Sequence, residues 1–524
     1  MTRRTLVNGS VIGAVAAVAA LGGVHGGTAA RIAVRRAALE DSAQAAGVLA
    51  SARGAPAVLC RLAEQALEPG WGWSGRGTPG DTPDSAGAAR WALARHPGDY
   101  AVPVLLKGME DADACVRGVA ARLVARATAV EVNASVAPLL GSAAVGTRVA
   151  ASVALGLAEA EGAVSGLVAR LADDAAEVRL AAAWALGRVG ATRAAAPLRG
   201  VLRDPEAGVR AAAARSLGEL EDTAAVDALA RLLRSDAEEE VRVAAAEALG
   251  RMESKRAVPA LAAALGDQSA VVRRTAAWAL GQIEDKGSVQ ALARALADHD
   301  DQVRETATWA LGQIEDASAV PALVERLARD DRPEVRRRAA WALGQIEDKS
   351  SAGALGTALK GDHDEQVRRT AAWALGQVED GGSVADLAAA LGDSAERVRV
   401  TAAWALGQIG PHRAPDALLR ALGHDTPEVR EKAAWALGQI GDDAAVPALT
   451  TALADSSGKV RRTALWALGQ LDSDAARTAI VGALRDGDPE VRARAARALG
   501  GGHVEPRPEP MPMPEPRPFP GPDE

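Results

Sequence analysis

Aromatic side chains other than tryptophan are almost missing from these 524 residues, which hold one Tyr (Tyr100) and one Phe (Phe519). Hydrophobic residues still make up 48% of the chain, so a core has to be built from Ala, Leu and Val, and small side chains imply closely approaching helices. Cysteine is scarce too: Cys60 and Cys115 are the only two, and nothing has zinc-site spacing. Basic charge is not in excess. The formal charge of −8 argues against a general nucleic-acid binder while leaving room for a local basic stripe. No phosphate-binding Gly loop, nucleophile elbow or dinucleotide fingerprint is present.

What the chain has in abundance is repetition. The segment AAWALGQI, or a close variant, recurs between Ala276 and Gln470 every 31 or 32 residues. It places Trp278, Trp309, Trp341, Trp373, Trp404, Trp435 and Trp466 at one phase of one repeated helix. A wider frame is anchored on the Val of a Val-Arg pair, from Val116 to Val491, with Thr147 standing in once. A degenerate half-unit carrying Trp91 precedes it. Self-similarity at this period predicts stacked helical hairpins, each hiding the apolar face of its neighbour.

Within one period, Val289, Leu292 and Leu296 mark a first helix, Asp298 to Asp301 a polar turn, and Gln302 to Ile314 a second helix. Pro259, Pro321 and Pro447 fall in first turns, where a missing N–H costs nothing. At about 100° per residue, the second helix separates into two faces. Counting from the anchor Val, positions +4, +7, +8 and +11 form a core face of Ala, Leu and Ile. Positions +2, +3, +6 and +10 form another stripe, while small residues at +5 and Gly at +9 permit close approach of a neighbouring unit.

The expected organisation has four parts. Residues 1–30 read as an export signal, with Arg3 and Arg4, an Ala-rich apolar run and Thr28-Ala29-Ala30 as a small-residue cleavage site. An uncleaved membrane anchor over residues 6–24 is the alternative. Residues 31–84 read as an N-terminal helical cap followed by a Gly/Pro-rich loop, residues 85–502 as the repeat array, and residues 503–524 as a disordered Pro-rich tail of polyproline II character. In an exported chain Cys60 and Cys115 can form a disulfide; two buried free thiols are the other possibility.

The frame Asp267, Val272-Arg273, Ala276-Ala277, Ala279-Leu280-Gly281 and Ile283, preceded by Val258-Pro259-Ala260-Leu261, resembles the short HEAT-like repeats of phycobilisome lyases over about 400 residues. Tetratricopeptide arrays need recurring Tyr and Phe, and ankyrin arrays a Thr-Pro-Leu-His signature; neither is here. The resemblance implies an all-α, right-handed α-solenoid of about 13–14 hairpins, with second helices on the concave side and ligands held at its variable positions. It also implies an Asp and Arg ladder, Asp267 with Arg273, Asp393 with Arg399 and Asp455 with Arg461, of structural character. On function it is nearly silent, since such families include scaffolds, bilin lyases and hypusine-forming hydroxylases.

Carried onto this sequence, the ligand-binding stripe comprises the seven Trp residues together with Gln282, Gln313, Gln345, Gln377, Gln408, Gln439 and Gln470, and Arg274, Arg338, Arg369 and Arg462. Lys432 and Arg337 add basic charge and Glu305 and Glu431 oppose it. Flat apolar faces beside amides suit an extended protein or peptide of Pro-rich or acidic character, a glycan less well, and a membrane only through an uncleaved N-terminal segment. Packing between repeats is the competing explanation of the indoles. No His is followed by Glu, as the di-iron hydroxylases require, and His299 and His363 sit in turns rich in helix-capping Asp. The expectation is therefore a non-enzymatic, exported scaffold without cofactor or metal; a repeat enzyme of the lyase or hydroxylase kind and a purely structural envelope spacer are the rivals.

Overall fold

The computed structural model describes residues 102–471 and 473–500. The proposed signal, cap, Cys60, the Trp91 half-unit and the Pro-rich tail lie outside the described residues. Every regular element among the described residues is a helix, and the α-helices pair into thirteen hairpins. They fall in two compact units, Met1–Ala257 and Val258–Glu524.

In the first unit the helices are α1 Val102–Met109, α2 Ala114–Val124, α3 Ala129–Val136, α4 Val145–Leu157, α5 Val164–Arg170, α6 Ala176–Val189, α7 Ala195–Val201, α8 Ala207–Glu219, α9 Val226–Ser235 and α10 Glu239–Arg251. The second unit opens with α11 Val258–Ala264, α12 Ala270–Ile283, α13 Val289–Ala295, α14 Asp301–Ile314, α15 Val320–Arg329, α16 Pro333–Ile346, α17 Ala352–Gly361 and α18 Glu365–Val378. It continues with α19 Val384–Ala390, α20 Glu396–Ile409, α21 Asp416–His424, α22 Pro427–Ile440, α23 Val446–Ala452, α24 Gly458–Gln470, α25 Asp474–Ala483 and α26 Pro489–Leu499. Odd-numbered helices are the first of each hairpin and even-numbered helices the second.

The hairpin of α13 and α14 shows how local chemistry sets these boundaries. Asp298 Oδ1 accepts from the Asp300 N–H at 2.9 Å, tightening the turn, and Asp300 Oδ1 accepts from the Gln302 and Val303 N–H groups at 3.0 Å each, capping α14. Val303, Ala307, Ala310, Leu311 and Ile314 then form the buried face, in the phase the helical wheel requires. His299 lies in this turn and is exposed. No helix among the described residues is long and apolar enough to cross a membrane.

The second helices from α4 to α22 end in the left-handed region. Gly190, Gly410 and Gly441 do so without a Cβ, but Glu159, Glu221, Glu253, Glu284, Glu315, Glu347 and Glu379 adopt φ near 50° as well. A side chain there costs about 1–2 kcal/mol, and Gly in its place gives back about 0.5–1 kcal/mol in unfolded-chain entropy. Glu315→Gly is therefore expected to stabilise the protein by about 0.5–1 kcal/mol. Chemical denaturation measures this, and a midpoint that falls would contradict it.

Candidate interaction surface

Within each unit, successive second helices pack side by side. Through most of the array, the Arg that follows the anchor Val welds one repeat to the next. Arg273 donates from Nε and Nη2 to the Asp298 carboxylate at 2.7 and 2.9 Å, and from Nη1 to the Asp267 main-chain oxygen at 2.9 Å. The same fork joins Arg304 to Asp330, Arg336 to Asp362, Arg368 to Asp393 and Arg430 to Asp455. In the first unit it joins Arg148 to Asp173, Arg179 to Asp204 and Arg210 to Asp236. This corrects the expected pairing. Asp267, Asp393 and Asp455 offer Arg273, Arg399 and Arg461 only a main-chain oxygen, and the carboxylates these arginines bind are Asp298, Asp425 and Asp486, one repeat on. The +1 side chain projects along the seam between repeats, so its carboxylate has to come from across that seam.

The tryptophans face the opposite way along the array. A Cβ built on Gly281 would lie 2.5 Å from Cζ3 of Trp309 and 3.0 Å from the Ala310 Cα. Gly312 meets Trp341 in this manner, Gly344 meets Trp373, Gly376 meets Trp404, Gly407 meets Trp435 and Gly438 meets Trp466. Each of these six indoles, Trp309 to Trp466, thus lies over the +9 Gly of the preceding repeat, which is why that position carries no side chain. Trp341, Trp373, Trp404, Trp435 and Trp466 are between 2% and 8% exposed, and Trp278 and Trp309 are half-buried. The indoles do not form an open ladder of flat faces; they are mainly mortar between repeats. In the first unit Trp184 packs by Gly156, whereas Arg215 and Glu247 replace the indole and form an ion pair at 3.3 Å.

What the stripe leaves accessible is polar. Gln282, Gln313, Gln345 and Gln377 are half-buried, and Gln408, Gln439 and Gln470 are exposed. Arg274 donates to the Gln302 side chain at 2.6 Å, Arg338 pairs with Glu305 at 2.8 Å, and Arg462 pairs with Asp488 at 3.2 Å. The Lys432 ammonium sits 5.6 Å from the Trp435 ring centroid, and burial holds it below the usual lysine range. Arg369 is half-buried. Arg397 belongs to the same stripe and was not anticipated: it precedes the anchor Val398, a position at about 260° that the wheel would have included had it been extended one residue upstream.

Cys115 is buried and disulfide-bonded, and Cys60, the chain's other cysteine, lies outside the described residues. Among the described residues no group of three or more His, Cys, Asp or Glu side chains is arranged to hold a metal ion.

A family model for HEAT repeats matches in ten overlapping stretches that run from residue 134 to residue 503. No curated protein matches the chain. Solved structures with similar folds include Kap95p from a complex with RanGDP, 14% identical over 76% of this chain and 66% of its own, just under two thirds, at a TM-score of 0.48. Importin beta is 14% identical over 88% of this chain and 80% of its own, at a TM-score of 0.46. The CpcE–CpcF complex of phycocyanin lyase from Nostoc sp. PCC7120 is 23% identical over 47% of this chain and 94% of the matched one, at a TM-score of 0.28. Likenesses this distant carry no argument about activity or partner. The repeat frame, the stacked hairpins and a family match over most of the length agree: the fold is an α-solenoid, and the chain belongs to the HEAT-repeat family.

Proposed function

We propose that this protein is a non-enzymatic interaction scaffold that binds an extended protein segment along the Gln and Arg stripe of α12 to α24. The observation that carries the reading is the repetition itself. Seven successive second helices offer an amide at +10 in one phase, and the residues at +2 and −1, polar or charged except for Val271 and Val400, vary from unit to unit. Repeated weak contacts of similar geometry add up only for a ligand long enough to meet several of them. The buried indoles keep the seams between repeats filled, so the surface is preorganised and loses little entropy on binding. Their burial weighs against a Pro-rich partner, which docks on open aromatic faces, and favours a partner read by polar and charged contacts.

An exported setting is part of the proposal. It is supported by the pattern of residues 1–30 and by the disulfide-bonded state of Cys115, since such bonds persist in oxidising compartments.

Photo-crosslinking tests the scaffold reading. A photoreactive residue at Gln345, Gln377 or Gln408 should capture one common partner in the producing cells, and the same residue at the exposed Thr357 of α17 should not. Equal capture at all four positions, or none on the stripe, would overturn it.

A further inference from the structure

The charges on the stripe are not spread evenly. On α14 the cation-facing residue is Glu305, and α22 contributes Glu428 and Glu431 beside Lys432. Between them, α16, α18 and α20 contribute Arg337, Arg338, Arg369 and Arg397 against Glu334 alone at the stripe positions. Glu334 approaches Arg332 at 3.7 Å, and Arg338 is paired with Glu305. That leaves Arg337, Arg369 and Arg397 on three adjacent second helices with no carboxylate within ion-pair distance among the described residues.

The contrast with the rest of the array is sharp, because every Arg of the seam ladder described above is paired with an Asp of the next repeat. Arg337 also has its Nε buried without an acceptor. Burial holds the Arg369 guanidinium below the usual arginine range, and the neighbouring Arg397 charge pushes the same way, against a smaller opposing effect from Glu365. Like charges placed side by side and partly desolvated are unfavourable in the free protein and become favourable when an anion arrives.

We propose that Arg337, Arg369 and Arg397 form the anchoring segment of the stripe and that its occupant is an acidic, extended segment of a partner protein, rich in Asp or Glu. This rests on the scaffold reading above. Charge complementarity selects the partner: in a chain of net charge −8 this is a local surplus of guanidinium groups, which take carboxylates bidentately. Neighbouring second helices lie about 8–10 Å apart. An extended strand advances about 3.3 Å per residue, so acidic residues roughly three apart would meet successive arginines.

The test uses the full chain and a fluorescently labelled deca-glutamate peptide, read by anisotropy. The peptide is expected to bind, to weaken as salt rises from 50 to 500 mM, and to lose about tenfold in affinity in the triple variant R337Q/R369Q/R397Q. R337K/R369K/R397K, which keeps the charge but not the bidentate fork, should lose about threefold, less than the Gln triple variant. R203Q/R231Q/R234Q removes the same charge from exposed positions of the first unit and should leave affinity within twofold. The exposed Arg397→Gln alone should weaken binding about threefold, so the result does not hang on a half-buried substitution that alters folding.

Equal losses in the two triple Gln variants would mean undirected charge attraction and would overturn the assignment. So would an unlabelled oligonucleotide of equal length and charge that displaces the peptide more effectively than unlabelled peptide does. If the deca-glutamate peptide fails to bind while crosslinking at Gln377 still captures a partner, the acidic assignment falls and the scaffold stands. If both fail, the scaffold reading falls with it.

Discussion

Trp373→Ala should lower stability by about 3–5 kcal/mol, among the largest losses available to a single side chain in this protein. The indole is 2% exposed and lies over Gly344 of the preceding repeat, so its removal leaves a cavity between α16 and α18 that neither rigid helix can close. The complementary change is more informative. Gly344→Ala replaces a poor helix former with the best one, a gain of about 0.5–1 kcal/mol in an open helix. Here the new Cβ would stand 2.6 Å from Trp373 Cζ3 and 3.0 Å from the Ala374 Cα. Overpacking of this kind costs about 1–3 kcal/mol, so the net effect is destabilising.

In a Trp373→Leu background the ring contact is gone and the Ala374 contact stays, so Gly344→Ala should cost less without becoming free. Denaturation midpoints of the four proteins, with hydrogen exchange on α16 and α18, measure the coupling. An equal cost for Gly344→Ala in both backgrounds would show that the indole is not what excludes a side chain there.

Asp330→Ala is expected to cost a similar amount, about 3–5 kcal/mol. The Asp330 side chain is 1% exposed and is held by Arg304 at 2.9 Å, and Arg304 is itself 10% exposed at the side chain. Removing the carboxylate leaves the Arg304 guanidinium in the seam with only the exposed Asp331, at 2.8 Å, as a charge partner, and also loses the 2.9 to 3.1 Å contacts by which Asp330 binds Arg304 and the Arg332 N–H. Arg304→Met combined with Asp330→Ala should recover much of the loss, because the buried guanidinium leaves together with its buried carboxylate and only the exposed Asp331 is left behind. If the double variant is as unstable as the single one, the cost lies in the turn and not in the buried charge.

The ladder also sets the response to acid. Burial by itself would raise the Asp330 carboxyl, but the hydrogen bond from Arg304 and the Arg332 N–H together outweigh it and hold the group below its ordinary value. The same direction holds for Asp298, Asp362 and Asp393, where burial is again outweighed, and for Asp173 and Asp455, where the bonded Arg is the leading cause. A carboxyl depressed on folding contributes stability that is complete above its unfolded value, about pH 4, and is lost as pH falls through the folded value. Stability should therefore be flat in this respect above about pH 5 and fall steeply below about pH 4.

The hairpins were legible because the evidence for them is one-dimensional. The Val-Arg anchor recurs at a fixed period, and the Asp298 to Asp301 turn announces itself by residue type. Depth is not one-dimensional. A helical wheel assigns Trp373 an angle, and the same angle serves a side chain open to solvent and one wedged into the seam of the neighbouring repeat. Position +9 was readable as a place of close approach, but the group doing the approaching, the Trp of the following repeat, required the stack itself. The ladder failed in register for a related reason. An Asp stands six residues before Arg273 and another 25 after it, and in a periodic chain the two are the same kind of residue. Arg397 stands one residue before its anchor Val398, outside a frame that runs forward from that Val.

Both seam contacts run one repeat forward, with Gly reaching to Trp and Arg reaching to Asp, and this makes the stack indifferent to its own length. Excising residues 335–366, one full period, would present Gly312 with Trp373 in place of Trp341 and would put Arg368 where Arg336 had been, each meeting the mate it was shaped for. Such an architecture behaves as a ruler graduated in identical divisions. Whole divisions can be inserted or withdrawn without redesigning either neighbour, whereas a gap of half a period would set every later graduation out of step.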